Sequence, residues 1–134
     1  MSSARLLSVV DDDDSVRTAM GRFIQSLDFA VELFGSAEAF LESSGLQEIS
    51  CLILDVRLPG MSGLQLQDHL AEHGFRIPII FITACPDERA RTRALNAGAV
   101  DFLPKPFTDE ALLSGIRSAL KLCHEEGYRA KSVV

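Results

Sequence analysis

Five short apolar runs alternate with five stretches whose apolar residues recur at helical spacing, and few architectures satisfy that order. The runs are Arg5 to Val10, Phe29 to Phe34, Cys51 to Leu54, Ile79 to Ile82 and Val100 to Leu103. After the first comes Ser15 to Leu27, with Val16, Met20, Phe23, Ile24 and Leu27 on one face and Asp13 or Asp14 placed to cap it. Ser36 opens a short helix that stops at Gly45. A third helix runs through Leu64, Leu66 and Leu70 to near Gly74, and Asp87 to Ala97 is a fourth, stopped by Gly98. Thr108 caps a fifth with Ala111, Leu112, Ile116 and Leu120 on one face. Strand alternating with helix predicts an α/β fold, a single doubly wound five-stranded parallel sheet with helices on both faces. The 134 residues suffice for one such domain. From His124 onward the apolar pattern is lost, so 1–122 reads as the domain and 123–134 as a tail or the start of a linker.

Four of the strands end on residues suited to phosphoryl chemistry. The first runs into Asp11 and Asp12, the third into Asp55, the fourth into Thr83, and the fifth into Pro104, Lys105 and Pro106. In an open parallel sheet the strand carboxyl ends share one edge, where ligands bind, so these residues should converge. Clustered carboxylates repel one another, and a hard divalent cation relieves the repulsion. Asp11, Asp12 and Asp55 suit Mg²⁺, which prefers carboxylate, water and phosphate oxygens. A carboxylate can also attack phosphorus and form an aspartyl phosphate, with Thr83 and Lys105 contacting the transferred group.

Other chemistries find little support. A net charge of −6 argues against a direct nucleic-acid surface. No apolar run approaches the ~20 residues of a membrane span, and no secretory leader is evident. Three widely spaced cysteines make neither a disulfide framework nor a metal pair, so a cytoplasmic location is expected. An EF-hand starting at Asp11 would need Gly where Val16 stands and Glu where Arg22 stands. His69 and His73 lie one helical turn apart, but Glu72 is at the wrong offset for a zinc helix. Arg89, Arg91 and Arg93, with Asp87 and Glu88 nearby, read as a solvated face, and Cys85 as a tolerated small residue.

The stretches VVDDDDSVR, LILDVRLPGMSG, PIIFITA and AGAVDFLPKPF, in this order and spacing, resemble the receiver domain of bacterial two-component response regulators. The resemblance covers roughly residues 5–122. The stretches SAEAFL and AGAVDFLPKPF are most similar to receivers attached to helix-turn-helix transcriptional regulators. It implies a flavodoxin-like (βα)5 fold with strand order 2-1-3-4-5. Carried onto this chain, it implies Asp55 as phosphoacceptor from a sensor histidine kinase. Mg²⁺ would be held by Asp11, Asp12, Asp55 and the backbone carbonyl of Arg57. Thr83 and Lys105 would contact the phosphoryl group, Phe102 would be the aromatic switch, and the Lys105–Pro106 bond would be cis. Such a domain catalyses only its own phosphorylation and dephosphorylation. The expected readout is homodimerisation or release of a DNA-binding output domain that is not in this chain, through the surface of the fourth helix, fifth strand and fifth helix. Two alternatives use the same residues. One is a Mg²⁺-dependent aspartate-nucleophile phosphatase, which typically wants a second acid where Arg57 stands. The other is an interaction module that never carries phosphate.

Overall fold

The computed structural model describes residues 5–126, and every expected strand and helix is present. In chain order these are β1 (Leu6–Val10), α1 (Asp14–Ser26), β2 (Ala30–Phe34), α2 (Ala37–Glu42), β3 (Ile49–Asp55), α3 (Gly63–Glu72), β4 (Ile79–Thr83), α4 (Glu88–Asn96), β5 (Asp101–Pro104) and α5 (Asp109–Glu126). All strand pairs are parallel, and the spatial order is β2-β1-β3-β4-β5.

The sheet separates two cores because successive strand side chains face opposite ways. Leu7, Val9, Cys51, Ile53, Ile80, Ile82 and Leu103 pack with Met20 and Ile24 of α1 and with Leu112 and Ile116 of α5. Val10, Leu52, Leu54, Phe81 and Phe102 pack on the other side with Phe40 of α2, Leu66 and Leu70 of α3, and Ala94 of α4. β3 is buried along its whole length, as the middle strand must be.

The boundaries differ from the sequence reading in places with physical causes. β3 starts at Ile49 rather than Cys51, because a 3-10 turn at Leu46–Glu48 feeds directly into it and the polar Ser50 is a buried strand residue. β5 is shifted one position, to Asp101–Pro104, since its ladder pairs Ile80 with Asp101 and Thr83 with Pro104. α5 continues to Glu126, into the segment read as a tail, and residues 127–134 lie outside the described residues.

Side chains at the helix starts accept the first backbone N–H groups. Asp13 takes those of Ser15 and Val16, Ser36 that of Ala39, and Asp87 that of Arg89. Ser62 and Gln65 form a reciprocal capping box that fixes where α3 leaves the β3 loop. Ser62→Ala is expected to lower the unfolding free energy by about 1 kcal/mol, read from the midpoint of a urea titration with unchanged slope.

Candidate functional site

The ends of β1, β3, β4 and β5 bring the chemically useful residues to one edge of the sheet. Asp11 follows β1 and is fully buried; Asp55 ends β3 and is 4% exposed. Asp12 is exposed beside them. A carboxylate oxygen from each of these three aspartates lies within 4.8 Å of the other two. Among the described residues this is the one such group of three or more His, Cys, Asp or Glu side chains. Asp13 and Asp14 stand apart, Asp13 as the α1 cap and Asp14 in a 2.6 Å pair with Arg17.

Lys105 reaches into the cluster from the loop after β5. Its Nζ lies 2.9 Å from Asp11 Oδ2 and donates a 3.3 Å hydrogen bond to Asp55 Oδ2. The Lys105–Pro106 peptide bond is cis. The Lys105 backbone N–H donates to the carbonyl of Thr83 at 2.7 Å, which ties the ends of β4 and β5 together. Thr83 is fully buried, and its Oγ1 accepts the backbone N–H of Cys85 at 3.1 Å. Phe102 faces the α4 side of the sheet, its ring centroid 6.2 Å from that of Phe81.

One ammonium does not balance two buried carboxylates. Burial raises the pKa of Asp55 to about 6, and the charge of Asp11 adds to that. The Arg57 N–H, which donates to Asp55 Oδ1 at 3.0 Å, and Lys105 oppose the rise. Burial works against the charge on Lys105 as well, but contact with Asp11 and the charge of Asp55 outweigh it, so its pKa is raised. Asp11 Oδ2 has Lys105 as its partner in an ion pair, and that one ammonium is shared with Asp55. Three carboxylates, two of them buried, around a single ammonium fit a hard cation such as Mg²⁺.

Three supporting residues were not singled out by the sequence. The Arg17 guanidinium donates to the backbone carbonyl of Asp11 at 2.6 Å and so fixes the turn that carries Asp11 and Asp12. Glu38 of α2 accepts the Met61 N–H at 2.8 Å, which anchors the loop after Asp55 and holds the Glu38 carboxyl below its usual pKa. Gly63 opens α3 directly against β3, where a Cβ would collide with the carbonyl oxygen of Asp55. The Ser62–Gln65 spacing is a capping signal the sequence does carry; the other contacts join residues distant in the chain and have no local signature.

His69 and His73 stack on each other with centroids 4.1 Å apart, and the His73 ring nitrogen contacts the His69 carbonyl, as expected of a solvated face. Arg93 pairs with Asp68 of α3. No helix among the described residues is long and apolar enough to cross a membrane.

The family model for the response regulator receiver domain matches residues 7–117. The chain belongs to this family. It is a receiver domain of the kind found in two-component response regulators, and the phosphorylation role follows from that membership. The response regulator protein TmoT of Ectopseudomonas mendocina is 45% identical over 128 residues, covering 96% of this chain and 58% of the relative. A structure of the response regulator StyR superposes with a TM-score of 0.86 at 46% identity, covering 91% of this chain and 62% of that one. FixJ-N superposes with a TM-score of 0.78 at 35% identity, covering 90% of this chain and 96% of that one. The receiver thus spans a little over half the length of the curated relatives it matches. They include response regulators and transcriptional regulators, and nothing in the comparisons favours a phosphatase.

The raised pKa of Asp55 predicts how stability depends on pH without metal. Below the ordinary 3.8 its carboxyl is neutral in both folded and unfolded chains and costs nothing. As pH rises from 3.8 to about 6 the unfolded chain ionises while the folded one resists, so stability falls across that interval and stays at the lower level above it. Asp55→Asn is therefore expected to raise the melting temperature in EDTA at pH 7.5, by more than it does at pH 4.5. An equal or reversed difference in thermal melts would contradict this.

Proposed function

We propose that Asp55 is the phosphoacceptor of this receiver and that Asp11 and Asp12 hold the Mg²⁺ its phosphorylation needs. The observation that carries the reading is the convergence of three carboxylates with Lys105 at one sheet edge. An Asp55 carboxylate oxygen attacks the phosphorus of a phosphohistidine on a sensor histidine kinase. The O–P bond forms as the P–N bond breaks, and the imidazole leaves with that electron pair and takes a proton from water. Asp11, Asp12, Asp55 and the backbone carbonyl of Arg57 would hold Mg²⁺, which supplies positive charge against the phosphoryl oxygens.

The chain's own groups prepare the site. Lys105 already lies between Asp11 and Asp55, so its ammonium needs only a small movement to pair with the added phosphoryl group. The Thr83 oxygen accepts from Cys85, which leaves the hydroxyl hydrogen to donate to a phosphoryl oxygen. As Thr83 moves inward, Phe102 turns into the space beside it, and the surface of α4, β5 and α5 changes. Phosphorylation shifts the balance between the two forms by its differential interaction with them. The domain turns over no external substrate; it catalyses its own phosphorylation and dephosphorylation. Because the matched relatives extend well beyond this region, the readout is a DNA-binding output domain outside this chain, controlled directly or through homodimerisation.

Incubation with Mg²⁺ and acetyl phosphate, followed by intact-mass analysis, is expected to add one phosphoryl group to the wild type and none to Asp55→Asn. No gain on the wild type, or an undiminished gain on the variant, overturns the assignment. Light scattering after size exclusion, with and without the phosphodonor, tests dimerisation.

A further inference from the structure

α4 has little holding it down. Ala94 is its one buried residue, and the rest of the helix is half-exposed or exposed. Two polar bridges join it to α3. One is the exposed pair of Arg93 with Asp68, at 2.6 Å. The other is buried: Gln67 Nε2 donates to the Ala94 carbonyl at 3.1 Å. Gln67 is 5% exposed, and its Oε1 is buried without a hydrogen-bond partner.

Gln67 also stands one helical turn beyond Gly63, and residues four apart share a helix face. The face of α3 that presses on the Asp55 carbonyl through Gly63 is therefore the face that reaches α4 through Gln67. We propose that Gln67 is a positioning residue that makes α3 a second lever between the Asp55 end of β3 and α4, separate from Thr83 and Phe102. The tether stands on the geometry of α3 and α4, whereas its coupling to phosphorylation rests on Asp55 being the phosphoacceptor.

Amide hydrogen exchange of α4 in the whole chain tests both parts. Gln67→Met keeps length and approximate volume, and the Ala94 carbonyl retains the Ala99 N–H at 3.0 Å, so the fold should survive. Gln67→Leu serves as a second variant. In the unphosphorylated protein, exchange over Glu88–Asn96 is expected to quicken roughly fivefold in these variants, the size of one net hydrogen bond, with β1 and β3 unchanged. Asp68→Asn should change it less than twofold, because exposed ion pairs contribute little. After acetyl phosphate and Mg²⁺, all variants should gain the same mass, while the phosphorylation-induced change in α4 exchange falls by half or more in Gln67→Met. Wild-type exchange in both Gln67 variants, an equal effect of Asp68→Asn, or an undiminished phosphorylation response overturns the proposal. If no protein gains mass, the phosphoacceptor reading fails, and the unphosphorylated comparison still decides the tether.

Discussion

Two buried carboxylates facing one ammonium set the character of this domain. Asp11 and Asp55 sit where the paired strands β1 and β3 end, and burial there strips them of the water that would screen them. Lys105 touches both and neutralises only one charge's worth. The resting edge of the sheet is therefore electrostatically incomplete, and it gains from added positive charge. Much of the surrounding structure serves to keep it that way. Arg17 braces the turn carrying Asp11, Arg57 and Glu38 brace the loop after Asp55, and Lys105 is held through its own backbone to β4.

The fold was largely legible because its signals are local. Apolar runs, helical spacing and the capping residues Asp13, Ser36 and Thr108 each act within a few positions. The site was legible for a different reason: parallel strands all deliver their carboxyl ends to one edge, so Asp11, Asp55, Thr83 and Lys105 could be placed together without coordinates. What escaped was contact between elements. Nothing near Gly63 in the sequence says that its missing side chain is demanded by the Asp55 carbonyl, and nothing near Gln67 says that it reaches α4. Ser50 misled for the converse reason, since a lone polar residue at a strand entrance looks like a boundary until burial shows otherwise.

The helices differ in how firmly the sheet holds them. α1 and α5 bury Met20, Ile24, Leu112, Ile116 and Ala119 against it. α4 buries Ala94 fully and Ala90 in part, and two polar bridges to α3 add to that small apolar contact. Apolar burial is non-directional and tolerates no easy substitute, whereas a hydrogen bond can be exchanged for another of similar energy. An element held by a small apolar contact and exchangeable bonds can change position at small net cost, which suits a surface that has to report on events elsewhere.

The sheet is also a partition. Neighbouring residues such as Ile53 and Leu54, or Phe102 and Leu103, contribute to separate cores, and the two sets of buried side chains meet only through backbone. Each face therefore has to fill its own core, and a change of side-chain volume on one face is felt first by the helices of that face. A single layer of peptide thus keeps two packing problems separate within one domain.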